Sequence, residues 1–452
     1  MDRISALPKG ILHDILGRLP DKDDAKTCVL SKSWKETWFS FPILSVRREN
    51  VIRFHDLPPN PEDPIWPRKV DMFTEYVTKR LMRLHDQHLT IKEVKLDLTY
   101  ITICTQVDHH IDRWIQIAIE SGVEVLELHL TGGPMRNWYN LPLKAKSLNK
   151  LVLSGEIRLD PAFINHSLKF FSMRTLSLSH ILFGDKGVME HFILHCPLIE
   201  HLTLHFCNVY NPLSVGDPPG SGIYQVNSLS LHGLQKLKGA SVKGILEVYI
   251  GAPNLESLCY GAPADMDESF KLNLDSCTNL KCLSLWYLRS PDKWLLELLY
   301  KIPFLQSLML HNCSLCERID ISGPQRISDQ LEVSTYIEMN HRHLYRLREF
   351  FQNIKPQKVL TLLSPFIHEL PPLFHKALQY FYEMLMGSNK CKCNGCLMHP
   401  QRWWHGLKVV KVTHLGRAYE NVEDLEDLKA LLNALAEPKS AAEEFITFAL
   451  EL

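Results

Sequence analysis

The sequence predicts an α/β chain with a short three-helix unit at its front, a solenoid of strand-bearing repeats with a parallel concave sheet, and a closing cap. Three observations predict this. A leucine frame recurs eight times at near-constant spacing, the first forty-odd residues carry a different, helical text, and a run of prolines separates the two.

The front comes first. Pro8 suits the first turn of a helix, and Ile11, Leu12, Ile15, Leu16 and Leu19 fall on one face of it before Pro20 ends it. Asp23 or Asp24 is placed to cap a second helix through Val29, with Ala25, Cys28 and Val29 inward. Ser31 is placed to cap a third helix that carries Trp34 and Trp38 one turn apart. A unit of about forty residues buries too little apolar surface to be comfortable alone, so it calls for a partner.

The pairs Leu7-Pro8, Ile11-Leu12, Ile15-Leu16 and Leu19-Pro20, with VLSKSW at 29–34 and then Trp38, resemble an F-box of the plant type. Lys9 stands where an acidic residue is common in that family, and Ser33 where Arg is common. The resemblance implies docking to a Skp-type adaptor and, through it, to a cullin in an SCF ubiquitin ligase. It places Leu7, Pro8, Ile11, Ile15, Leu16, Leu19, Pro20, Val29, Leu30, Trp34 and Trp38 as adaptor-facing candidates, in an F-box spanning 1–45.

Prolines at 58, 59, 61, 64 and 67 exclude a helix between His55 and Pro67, so 46–69 is read as a linker. A helix resumes near Asp71, with Val70, Phe73, Val77, Leu81 and Leu84 on one side. Then the repeats begin. Leu126, Leu151, Leu176, Leu202, Leu229, Leu258, Leu283 and Leu308 each hold the same place in an LxxLxL-like frame, at intervals of 25, 25, 26, 27, 29, 25 and 25 residues. That period identifies a leucine-rich-repeat solenoid over 70–365, each strand pointing its leucines inward and the alternate residues onto the concave side. Weaker copies stand at 94–98, 331–337, 358–363 and 407–412, and convex helical segments are expected at Lys186–His195 and Trp294–Lys301. In the 366–452 region, Val422–Leu435 has leucines at helical spacing and Phe445–Leu452 alternates as a final strand; together they read as the cap. The stretches 110–130, 346–362 and 446–452 resemble the plant F-box/leucine-rich-repeat group with its FBD-like C-terminal region.

Among the 452 residues, 50 are Lys or Arg and 51 Asp or Glu, a net charge of −1 that steers the chain to neither nucleic acid nor anionic membrane. No apolar run is long enough for a membrane span or a secretory signal, and twelve irregularly spaced cysteines fit reduced thiols, so the expectation is an intracellular chain, nuclear or cytoplasmic. No HExxH, GxSxG or GxxxxGK[ST] motif is present, and VGDPPGSG at 215–222 reads as a loop, so no catalytic residue and no cofactor is expected. Asp108-His109-His110 reads as a helix cap or solvated loop. Cys391, Cys393, Cys396 and His399 could close around a structural zinc, but their CxC spacing and the lack of a second ligand pair favour free thiols.

The residues that follow the leucine core on the concave side are His129, Ser154, Ser179, His205, His232, Gly261, Trp286 and His311. Four are histidines, and directly stacked repeats would bring His205 and His232 together. His205, His232, Trp286 and His311 are therefore the candidates for a client-binding patch. The functional expectation is a non-catalytic substrate receptor, docking an adaptor at the front and a client protein on the repeats. The alternative is a scaffold or competitor that binds the adaptor without promoting ubiquitination of a client.

Overall fold

A computed structural model describes residues 4, 7–19, 21–46, 65–98, 108–130, 138–141, 147–159, 170–210, 223–263, 270–288, 292–311, 332–338, 359–363, 409–414, 417–420 and 445–451. Pro20 and residues 47–64, 215–222 (read as a loop), 391–399 (the thiol and imidazole cluster) and 422–435 (expected as a helix) lie outside the described residues. The chain forms two compact units, Met1–Ala252 and Pro253–Leu452.

In the first unit, α1 (Lys9–Leu16), α2 (Asp21–Lys26) and α3 (Lys32–Phe39) fold the front stretch. Ser31 caps α3 as the sequence predicts, its hydroxyl accepting from the Trp34 amide at 3.2 Å. Leu12, Leu16, Trp34 and Phe41 form the core, with Ile15, Leu19, Trp38 and Ile43 packed on it. The second helix departs from expectation. It stops at Lys26, a 3-10 turn follows over Thr27–Val29, and Thr27 is buried instead of Ala25 and Val29. The buried Thr27 hydroxyl reaches back to the Asp24 carbonyl at 2.6 Å, satisfying a group that helix geometry would otherwise leave competing.

Helix α4 spans Ile65–Asp86 and buries Val70, Phe73, Val77, Leu81 and Leu84 on one side, as the periodicity requires. It starts inside the proline run. Pro67 falls in its first turn, where no intrahelical amide is needed, so proline there punctuates without excluding the helix. Helix α5 (Asp108–Glu120) packs against it, with Trp114 edge-on to Phe73 and its indole N–H donating to Thr78 at 2.8 Å.

The main sheet of this unit contains β1 (Ile43–Val46), β2 (Glu93–Asp97), β3 (Val125–Leu130), β5 (Lys150–Gly155), β7 (Thr175–Ser179), β9 (His201–His205) and β13 (Gly239–Lys243), neighbours in that order and parallel throughout. Inward and outward positions alternate in each strand, Leu126, Leu151, Leu176 and Leu202 standing in one register. Helix α6 (Lys186–Leu194) lies between β7 and β9 in sequence, capped by the Asp185 carboxylate on the Val188 amide at 2.9 Å. A second sheet runs β11 (Ile223–Gln225), β10 (Asn208–Tyr210), β8 (Leu182–Phe183), β6 (Ile157–Leu159), β4 (Tyr139–Asn140). A separate pair joins β12 (Ser228–His232) to β14 (Glu247–Gly251).

That pair corrects one repeat. The Leu229 frame is strand, but it pairs with β14, whereas β9 pairs with β13, Leu202 opposite Ala240 and Leu204 opposite Val242. Alternation marks a strand with one buried face without saying which sheet it joins. An Ala-x-Val pair fills the main-sheet place that a leucine frame would claim.

In the second unit, β15 (Ser257–Gly261), β17 (Cys282–Trp286), β18 (Ser307–His311), β19 (Glu332–Glu338) and β20 (Val359–Leu363) are parallel neighbours. Helix α7 (Asp292–Lys301) connects two of them, and β16 (Lys271–Asn273) lies between β15 and β17 in sequence. The closing strands reverse direction: β23 (Phe445–Glu451) runs antiparallel between β20 and β21 (Val409–His414), and β21 is antiparallel to β22 (Arg417–Glu420). Each 94–98, 331–337, 358–363 and 407–412 copy therefore contains a strand, though the last joins an antiparallel ending.

Candidate functional site

The front unit divides its apolar residues sharply. Leu16 and Trp34 are 1% and 4% exposed, inside the unit's own core. The sequence places both among the adaptor-facing candidates; at 3.6 residues per turn the same face that reads as a docking stripe is the face that closes the three-helix core. Ile15, Leu19 and Trp38 are half-buried against that core. Leu7, Pro8, Ile11, Val29 and Leu30 are exposed, Ile11 at 47%, Val29 at 86% and Leu30 at 64%. Ile4, which the sequence reading did not single out, is exposed as well. Large apolar side chains so open to water on a unit whose core is already complete are the candidates for an interaction surface.

Behind this surface the front unit is fixed by a residue that periodicity did not pick out. Arg80 of α4, almost fully buried, donates to the carbonyl oxygens of Trp38, Phe39 and Phe41 at 2.6, 2.7 and 3.2 Å. Its guanidinium also lies 4.5 Å from the centre of the Trp38 ring, and that of Arg83 lies 3.5 Å from that of Phe39. The Trp38 and Phe39 carbonyls belong to the end of α3, where the helix dipole is negative, and the Phe41 carbonyl follows it; the Trp38 carbonyl also accepts from the Phe41 amide at 3.2 Å. Burial pushes the Arg80 pKa down, with Tyr76 and Asp24 opposing that shift. His13 is also held below its ordinary value, chiefly by burial, beside Phe41 and 3.4 Å from the Ser40 hydroxyl.

On the main sheet of the first unit the outward positions form registers. His129, Ser154, Ser179 and His205 follow one another as predicted, but the next is Lys243, not His232. His232 sits on β12, beside Gly251 of β14. The central register is Val152, Ser177, Thr203 and Ser241, a neutral and mostly hydroxylic row. Ser241 Oγ lies 2.7 Å from His205 Nε2. Burial, with Lys243 and His180 nearby, pushes His205 down to about 4, so it is neutral at neutral pH. Charges flanking this row are paired, Lys150 with Glu127 at 2.7 Å, and Glu200 with Lys238 at 2.8 Å and with Arg174.

At the strand ends the turns need left-handed backbone. Gly155 and Gly244 supply it at φ 101° and 78°, while His180 and Phe206 adopt 59° and 51° despite their side chains. Their rings stack, 5.4 Å between centres and 17° between planes, and both are exposed. Glycine at 244 makes this possible, since a Cβ there would lie 2.7 Å from Phe206 Cδ1. Gly244→Ala is therefore expected to lose about 2 kcal/mol, from the left-handed backbone and the displaced ring, as measured by urea unfolding. In the second unit Tyr287 takes the same conformation, φ 56°, next to Trp286. There Trp286 and His311, adjacent in register, stack at 3.8 Å and 7°.

Of the sequence-predicted quartet, His205 lies in the first unit, Trp286 and His311 are together in the second, and His232 is on β12, beside β14. The signal for these left-handed aromatic positions was present, because His180, Phe206 and Tyr287 each stand two places after the last leucine of a frame. Among the described residues no helix is long and apolar enough to cross a membrane.

The F-box domain family matches residues 4–45, and the At1g61320/AtMIF1, LRR domain family matches 81–322, more than half of the chain. An Arabidopsis thaliana F-box protein is 32% identical over 46% of this chain and 45% of its own length. Two F-box/FBD/LRR-repeat proteins of the same plant are 26% and 24% identical, each over 60% of this chain and over 58% and 60% of their own lengths. The matches thus span about half the length of these curated relatives. A helical front with exposed apolar residues, joined to parallel strands that repeat a leucine frame, and these two matches lead to one assignment: the chain belongs to the F-box/leucine-rich-repeat proteins.

Proposed function

We propose that this chain is the non-catalytic substrate receptor of an SCF-type ubiquitin ligase. The observation that carries the reading is the exposure of Leu7, Ile11, Val29 and Leu30 on an F-box whose own core, Leu12, Leu16, Trp34 and Phe41, is already closed. These four side chains meet a Skp-type adaptor, which in turn holds the cullin. Burying each fully would contribute roughly 1.5–3 kcal/mol before the costs of association. The half-buried Ile15, Leu19 and Trp38 shape that surface from beneath. The domain division that goes with it is the F-box to residue 45, the repeats to about residue 365 and the FBD-like region beyond.

The repeat face serves client recognition. In the first unit its centre is the hydroxyl row with His205 and the His180–Phe206 ledge; in the second it is Trp286, Tyr287 and His311. Large, rigid aromatic groups lose little conformational entropy on binding, which suits them to anchor a partner. The mechanism is proximity: chemistry belongs to the partners, and the chain raises the effective concentration of client lysines.

The test is reconstitution of the full chain with a Skp-type adaptor and a cullin, followed by capture of proteins that accumulate when the cullin is inactive. Cullin-dependent ubiquitination of a captured protein is the expected result. Adaptor binding without any cullin-dependent client would replace the receptor with the scaffold reading, and no adaptor binding by a folded chain would remove both.

A further inference from the structure

Helix α6 ends on two histidines one turn apart. His191 lies in its last turn, and His195 follows as the cap residue, its amide bonding back to the His191 and Phe192 carbonyls at 3.1 and 3.2 Å. Positions i and i+4 share a helix face, the spacing by which helical histidine pairs hold a metal in HExxH sites. The two ring centres are 3.9 Å apart with planes tilted by 39°. The Nδ1 of His195 lies 2.7 Å from the His191 carbonyl oxygen. A carbonyl only accepts, so Nδ1 carries the proton, and the neutral ring keeps its lone pair on Nε2. A backbone carbonyl bonded to the far nitrogen is the usual way in which a ligating imidazole is oriented.

The surroundings narrow the class of ion. The adjoining Cys196 is buried, its thiol directed at the Phe192 carbonyl at 3.5 Å. Among the described residues no third His, Cys, Asp or Glu completes a cluster. Two imidazoles with water in the remaining positions do not suit structural zinc, which takes four protein ligands, or calcium and magnesium, which take oxygens. They suit a tetragonal nitrogen and oxygen set. The helix end, with its negative dipole, favours a cation there.

We propose that His191 and His195 form a two-imidazole site for a divalent ion of the Ni(II)/Cu(II) class, with water completing its coordination. The ion would tie the last turn of α6 to its cap.

The probe is Ni(II), which does not oxidise the chain's thiols, added to the full-length protein while amide hydrogen exchange is followed. Local opening of residues 188–196 is expected to fall about tenfold at free Ni(II) ten times the dissociation constant. The protection should vanish in His191→Ala, which leaves the His195 ring bond to the backbone carbonyl in place, and in His195→Ala. No protection of 188–196 in the wild type would overturn the proposal. Protection that survives His191→Ala, or that falls only on other segments, would overturn it equally, by placing the ion elsewhere.

Discussion

Replacing Ile11 and Leu30 together by aspartate is expected to weaken binding of a Skp-type adaptor by at least a hundredfold while leaving the fold intact. Both side chains are more than two-fifths exposed, so neither contributes to the core that Leu12, Leu16, Trp34 and Phe41 make. Each aspartate removes an apolar anchor and places a charge that must be desolvated in the complex. Two such changes at the centre of an interface exceed 2 kcal/mol each in typical cases. Titration calorimetry would give the affinity and circular dichroism the fold. Trp34→Ala is the contrasting arm: it empties a core site, and a cost of about 3–5 kcal/mol in stability is expected from truncating so large a side chain. Full adaptor affinity in the double aspartate variant would show that the exposed surface is not the dock.

Arg80→Met should cost about 3 kcal/mol, the largest effect expected of any single change on the α4 face that meets the front unit. Methionine keeps the length and the apolar stem but removes the fork that serves three carbonyls at and just after the end of α3. The Trp38 carbonyl keeps the Phe41 amide, but the Phe39 and Phe41 carbonyls lose the guanidinium, and a buried acceptor left without a donor costs roughly 1–3 kcal/mol, partly relieved where water enters. Arg80→Lys should recover less than half, because an ammonium cannot reach three carbonyls with planar geometry and lie over the Trp38 ring. Urea unfolding would give the size of the loss. Hydrogen exchange should show α3 and β1 opening before the rest of the first unit. A loss under 0.5 kcal/mol in Arg80→Met would mean that packing of Trp38 and Phe39, without the guanidinium, holds the joint.

How far this molecule was legible from its sequence follows from which physical rules act locally. Ser31 capping α3, the buried face of α4 and the leucine registers from Leu126 to Leu202 are set by spacing within a few residues, and all are found. The error at Leu229 is of another kind. Alternation fixes which side of a strand is buried but carries no statement of its neighbour, and the Ala240-Val242 strand holds the place by fitting β9 with smaller side chains. The candidate dock was half legible for a related reason. Helical periodicity groups Ile11 with Leu16, but only the closure of three helices decides that one is covered and the other is not. Arg80 was invisible because its partners are main-chain atoms forty residues away, and no side-chain pattern records them.

The first strand of the repeat sheet belongs to the front unit. Ile43–Val46 follows α3 by three residues and pairs with Glu93–Asp97, and the Pro42 carbonyl accepts from Lys92 at 2.8 Å. A cut near residue 46 would therefore not separate two modules. It would strip β2 of its neighbour and leave a row of unpaired amides and carbonyls facing water, the kind of bare sheet edge at which chains aggregate. For exchange of recognition heads between such proteins, the dock and the first strand have to be transferred as one piece.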